Sequence, residues 1–142
     1  MSLIIPDQGL ITRAQQTGAI FNSHNQVYKL FKNNITVGHT TQLTDFVEAN
    51  FTGYAAIRPT GWGGVVLDST NHRAQVGATA IQWNNTFTPG TTNTVYGYYV
   101  IDHDQGDQLV FAENFAAPVV MDGSGTPAFL TLNPAYTVKS EV

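Results

Sequence analysis

Turn-forming clusters interrupt this chain roughly every 8–12 residues, a spacing that suits short strands and leaves little room for long helices. Among these breaks are Asn33-Asn34, Pro59-Thr60-Gly61-Trp62-Gly63-Gly64, Thr88-Pro89-Gly90, Asp102 through Asp107, and Asp122-Gly123-Ser124-Gly125, the closest spacing falling in the later part of the chain. Each contains residues that turn for a physical reason: Gly tolerates positive φ, Pro fixes φ, and Asn and Asp bond their own backbone. Thr79 to Phe87 alternates most clearly between them. Ile81, Trp83 and Phe87 fall on one face and Gln82, Asn84 and Thr86 on the other, the period of a half-buried antiparallel strand. Gln26 to Lys32 has apolar groups on both faces, as a central strand does. Further strands are expected at Tyr54 to Arg58, Val65 to Leu67, Pro118 to Met121 and Ala128 to Leu132. Val95 to Ile101 and Gln108 to Phe115 read as the arms of one hairpin.

Near the N-terminus, Asp7 to Thr17 can form a helix capped by Asp7 and ended by Gly18, with Leu10, Ile11 and Ala14 on one face. The alternative is an extended N-terminal arm over residues 1–25. A second short helix is expected from Thr44 to Ala49, with Asp45 and Glu48 near its positive end and Phe46 and Val47 as anchors. The fold expected is mainly β: an antiparallel β-sandwich or barrel-like domain with one or two short helices near the N-terminus. One domain over residues 1–142 fits the length.

Only 11% of residues are charged, well below the usual quarter, so Thr, Asn, Gln and Ser must supply the polar surface. Such a surface repels neighbours weakly and suits a protein that lies against other protein. The net charge is −4 with six Lys and Arg, too few cations for a nucleic-acid partner. With no cysteine there is no disulfide framework, thiolate metal site or cysteine nucleophile. The opening residues lack the pattern of a signal peptide, and no apolar run reaches membrane-span length, so no membrane partner is expected. Sequon-like triplets at Asn34, Asn50 and Asn84 are what a chain rich in Asn and Thr contains by chance.

No catalytic site, cofactor or metal is expected. Asp102, Asp104 and Glu113 have a spacing faintly like a calcium loop, but Gly106 and Asp107 are misplaced for one and the flanks are β-type. A turn explains the same residues. His24, His39, His72 and His103 form no closely spaced ligand pair and read as surface residues. There is no Gly-x-Ser-x-Gly elbow, and no Gly-Lys-Ser/Thr follows Gly61, Gly63 and Gly64. A Ser-His-Asp set dispersed in sequence stays open, though no motif points to one. Trp62 is either a core anchor or an exposed contact. Trp83 with Tyr96, Tyr98 and Tyr99 could build a sugar-stacking platform, or be consumed by a β core.

The stretches Leu30-Phe31-Lys32-Asn33-Asn34 and Leu43-Thr44-Asp45-Phe46-Val47-Glu48-Ala49-Asn50-Phe51-Thr52-Gly53-Tyr54-Ala55, with Tyr96-Gly97-Tyr98-Tyr99-Val100 and Leu109-Val110-Phe111-Ala112-Glu113-Asn114-Phe115, resemble a group of small virion structural proteins of tailed bacteriophages. The likeness spans roughly Val27 to Val120. It implies a virion component without enzymatic activity. A weakly charged, Thr/Asn-rich β module that binds in many copies suits the head exterior, as a capsid decoration or cement protein. The partners implied are the major capsid protein and further copies of the chain, as a dimer or trimer. The location implied is the capsid surface, after synthesis in the bacterial host cytoplasm. Trp62, Gly63, Gly64, Thr88, Pro89 and Thr91 are the candidate contact residues, with the N-terminal arm. The alternatives are a tail or baseplate accessory protein and a carbohydrate-binding module for host attachment.

Overall fold

The structure is a computed structural model that describes residues 4–85, 90–122 and 128–140. The chain is mainly β; the described residues form one N-terminal α-helix and three antiparallel sheets. It divides into two compact units. Unit 1 comprises Met1–His24, Pro59–Ala80 and Asn133–Val142; unit 2 comprises Asn25–Arg58 and Ile81–Leu132. Among the described residues no helix is long and apolar enough to cross a membrane.

Unit 1 packs helix α1 (Asp7–Ser23) on a sheet of β2 (Gly63–Asp68), β3 (Arg73–Gly77) and β8 (Ala135–Lys139), in the order β2-β3-β8. Residues 7–23 thus take the helical alternative, not the extended arm. Asp7 is the first helical residue rather than the cap; Pro6 holds the cap position without a side-chain bond. The helix runs on to Ser23 because Gly18 is a packing residue and not a stop. Leu10, Ala14, Gly18 and Phe21 form its buried face. A Cβ at Gly18 would come within 2.9 Å of the Val76 side chain, so glycine is what lets helix and sheet approach. Neither β3 nor β8 is among the expected strands.

Unit 2 holds β1 (Gln26–Phe31), β5 (Asn93–Asp102) and β6 (Gln108–Met121) in the order β1-β5-β6, with a second sheet of β4 (Ile81–Asn85) and β7 (Ala128–Leu132). The alternation of β4 is realised: Ile81, Trp83 and Asn85 are buried, Gln82 and Asn84 exposed. The expected positions Thr86 and Phe87 lie outside the described residues. β6 is longer than expected because Pro118 does not end it. Residues 115–118 have no partner on β5, and the proline sits in that irregularity, where no ladder N–H is needed.

The three-stranded sheet carries aromatic clusters on both faces. On one, Phe46 stacks on Tyr99 with ring centroids 4.5 Å apart and tilts against Phe31 at 5.1 Å. On the other, Tyr28 stacks on Tyr98 at 5.5 Å, and Phe111 meets Tyr28 edge-on at 5.8 Å. Such ring pairs add roughly 0.5–1.5 kcal/mol each beyond the area they bury. Burial is the main influence pushing the Tyr98 hydroxyl above its ordinary pKa, followed by the hydrogen bond it donates to Glu113 Oε2 at 2.8 Å. It therefore stays a donor throughout the neutral range.

The second helix expected at Thr44–Ala49 is a single 3₁₀ turn, Leu43–Asp45, closed by a capping box between Gln42 and Asp45. The residues after it cannot coil because their backbone is spent on β1. Lys32 N–H donates to the Val47 carbonyl (2.9 Å) and Ala49 N–H to the Leu30 carbonyl (2.9 Å). Phe46 is an anchor as expected, but Val47 is exposed. Further along, Tyr28 and Ile57 exchange hydrogen bonds of 2.8 and 3.0 Å, the one bridge left of the strand expected at Tyr54–Arg58. Between these points the Tyr54 hydroxyl accepts from Leu30 N–H (3.2 Å) and donates to Glu48 (3.0 Å). An irregular strap thus satisfies the outer backbone groups of Tyr28 and Leu30 and the N–H of Lys32.

Asparagine amides hold the remaining loops. Asn33 donates to the Asp45 carbonyl and accepts from Val47 N–H, both at 2.8 Å. Asn114 donates to the Ile35 carbonyl and accepts from Val37 N–H, both at 2.7 Å. Each amide presents one donor and one acceptor in a plane, as a strand backbone does, so it pairs with irregular chain that no strand could follow. Asn114→Ala will strand both groups of the 35–37 loop and cost about 1–3 kcal/mol. Urea denaturation, with faster amide exchange at Val37, checks this.

Candidate contact surface

The glycine loop of unit 1 is built around Trp62. Its indole is 6% exposed and meets Phe21 edge-on, with centroids 4.9 Å apart. Its backbone is gripped by Asn22, whose Oδ1 accepts from Trp62 N–H at 3.0 Å and whose Nδ2 donates to the Trp62 carbonyl at 2.8 Å. Trp62 is therefore the core anchor of the loop, and its place among the contact residues is corrected: the side chain points into unit 1, where burial and ring packing hold it. Gly63 and Gly64 remain on the surface, with open space where a Cβ would stand. Gly64 has φ +64°, and the β2–β3 register shifts between Gly63 and Val66, so it forms a bulge. The result is a short stretch of bare backbone next to the anchored Trp62.

In unit 2, Thr91 is exposed. Its N–H donates to Thr52 Oγ1 at 2.8 Å, and its carbonyl accepts from Asn85 Nδ2 at 3.0 Å and from Thr52 N–H at 3.3 Å. Beside it, Asn93 Oδ1 accepts from Asn50 N–H at 2.6 Å, and Lys32 Nζ donates to Asn50 Oδ1 at 2.7 Å. Thr88 and Pro89 lie outside the described residues. The surface residues expected in these two loops thus belong to different units: Gly63 and Gly64 to unit 1, Thr91 to unit 2.

The aromatic residues of the sugar-binding alternative are committed elsewhere. Trp83 is 2% exposed and donates its indole N–H to the Ala55 carbonyl at 2.8 Å; Tyr98 and Tyr99 are buried in opposite faces of the sheet. Tyr96 is half-buried. The acidic segment at Asp102–Asp107 is a hairpin turn. Asp102 accepts from Asp104 N–H (3.0 Å), Asp104 accepts from Asn25 N–H (2.8 Å), and Gly106 and Asp107 take left-handed φ of 69° and 61°. His103 pairs with Asp107 across it.

Asp7, His72 and Ser140 line one hollow in unit 1, of about 410 Å³, and so raise the dispersed Ser-His-Asp question. His72 Nδ1 lies 3.2 Å from Asp7 Oδ1, the orientation a general base requires. The Ser140 hydroxyl, however, accepts from Ile5 N–H at 3.3 Å, and no hydrogen bond joins it to the imidazole. Ser140 is tied to His72 through backbone alone, its N–H donating to the His72 carbonyl at 3.1 Å. The set has the residue types of a triad without the serine–histidine contact that activates the nucleophile.

Sequence reasoning missed the amide clamps, since an Asn in a polar chain reads as surface. The available signal was position: Asn33 falls in an expected turn and Asn114 in an expected strand, whereas Asn22 carried no such signal. No family model, curated protein or solved structure matches the chain.

Proposed function

We propose that the chain is a non-enzymatic virion protein of a tailed phage that decorates the outer capsid surface and stabilises the lattice there. The observation that carries the reading is the Gly63–Gly64 bulge at the start of β2, which presents bare backbone beside the buried Trp62, itself gripped by Asn22. A loop already ordered loses little entropy on binding, so modest contacts repeated over many copies suffice. The low charge and the resemblance of Val27 to Val120 to virion proteins support the same reading. The sugar-binding alternative is weaker, because the side chains that would stack on a ring are spent in the core.

Incubating the protein with expanded capsids that lack it, and imaging by electron cryomicroscopy, should reveal ordered extra density at fixed lattice positions. Bare shells would refute decoration and turn attention to the tail assembly. Gly63 has open space at its Cβ position, so Gly63→Glu is expected to leave the melting temperature unchanged while weakening capsid binding about tenfold or more. Quantitative pelleting of capsids with each protein checks this. Undiminished binding would remove the glycine loop from the contact.

A further inference from the structure

A strand at the rim of a sheet carries N–H and C=O groups with no partner beside it, and proteins blunt such rims with bulges, prolines, charges or covering segments. The rims of this chain are treated unequally. The strap of residues 47–57 covers that of β1 from Tyr28 to Lys32. That of β6 is crossed by the Asn114 clamp and interrupted around Pro118, and that of β2 bulges at Gly64. β4 and β7 adjoin residues outside the described set. Among the described residues β8 has neither a bulge nor a covering strap, and its one charge, Lys139, stands at its end: its register with β3 is unbroken from Arg73 opposite Lys139 to Gly77 opposite Ala135.

Hydrogen bonds at its two ends give the polarity of that rim. The Pro134 carbonyl accepts from Ala78 N–H at 3.0 Å, and Ser140 N–H donates to the His72 carbonyl at 3.1 Å. Backbone groups alternate in direction along a strand. Tyr136 and Val138, in step with positions 134 and 140, spend theirs on β3; Ala135, Thr137 and Lys139 turn theirs outward. Among the described residues none bonds them there. A groove beside the rim runs between α1 and β8, bordered by Ile20, Tyr136 and Val138, and Ile20 is 52% and Tyr136 38% exposed.

We propose that a second copy of the chain occupies this rim, its β8 pairing antiparallel with the first about a two-fold axis at Thr137. In that register Thr137 faces Thr137 and Ala135 faces Lys139, so every outward residue exchanges both of its hydrogen bonds. A shift of two residues leaves one of them unpaired. The strand is thus self-complementary, and charge agrees: each Lys139 meets an alanine rather than the other lysine. On the helix side each Tyr136 meets a Val138, covering apolar surface that one copy leaves wet. The sheet of unit 1 then continues across the axis. This inference does not depend on the capsid reading.

Sedimentation equilibrium of the full chain over a wide concentration range is the test. The wild type should fit a monomer–dimer equilibrium. Thr137→Pro removes a donor that β3 does not use, so the fold should persist by circular dichroism while the dissociation constant rises about tenfold or more. Thr137→Lys and Thr137→Glu should each weaken the dimer about fivefold, and their equimolar mixture should restore it. A wild type that stays monomeric to roughly millimolar concentration, a trimer, or variants that associate as the wild type does would each overturn the proposal. Should a variant unfold, wild-type amide exchange decides. Slowing of Ala135, Thr137 and Lys139 with rising concentration supports the pairing, and unchanged rates refute it.

Discussion

Gly97→Ala is expected to destabilise unit 2 by about 3 kcal/mol or more, the penalty for forcing a methyl group into a site with no room to yield. A Cβ at Gly97 would stand 2.1 Å from the Glu113 carbonyl oxygen and 2.7 Å from two carbons of the Phe31 ring. The carbonyl belongs to β6 and the ring to β1, and Gly97 is paired with Phe31 on one side and Asn114 on the other. The strand therefore cannot step away from one neighbour without striking the other. Glycine in a central strand usually weakens it; here its bare Cα is the floor on which Phe31 lies. The midpoint of urea denaturation is the measurement, with Gly63→Ala as control. That site has open space and should change stability by no more than about 0.5 kcal/mol. A Gly97→Ala protein as stable as the wild type would mean that the Phe31–Gly97 register is wrong.

Trp62→Ala should cost about 3–5 kcal/mol, as large-to-small changes of buried aromatics do. The loss combines a cavity beside Phe21 with the loosening of the loop gripped by Asn22. Trp62→Phe keeps most of the volume and should cost about half as much or less. An exposed contact residue would behave differently: truncation would leave the denaturation midpoint in place and reduce only binding. Comparing the midpoints of the two variants separates these cases.

What could be read from the sequence followed the physics of each segment. The alternation of Ile81, Gln82, Trp83 and Asn84 was legible because one face is dry and the other wet. The hairpin at Asp102–Asp107 was legible because its turn chemistry is local. The helix expected at Thr44–Ala49 failed because its local charges and apolar pair are outweighed by backbone pairing with β1, which no nearby residue announces. Gly18 was misread as a stop because a glycine needed for close packing looks the same in sequence as one needed for positive φ. β8 was missed because Ala135 to Lys139 is short and only weakly patterned. At the candidate surface the glycines were legible as a loop, but the direction of Trp62 depended on Phe21 and Asn22, some forty residues earlier in the chain.

The amide clamps have a further consequence. A loop pinned by an ion pair loosens when salt screens the pair or acid discharges the carboxylate. Asn22 and Asn114 neither titrate nor attract counterions, so the segments they grip should keep their shape through changes of medium that would disturb a charged surface; the segment gripped by Asn33 is also closed by the Asp45 carboxylate. On the proposed role, a particle that leaves a lysed cell for dilute water passes through such a change abruptly, and a coat fastened by neutral groups would meet it without a change of form.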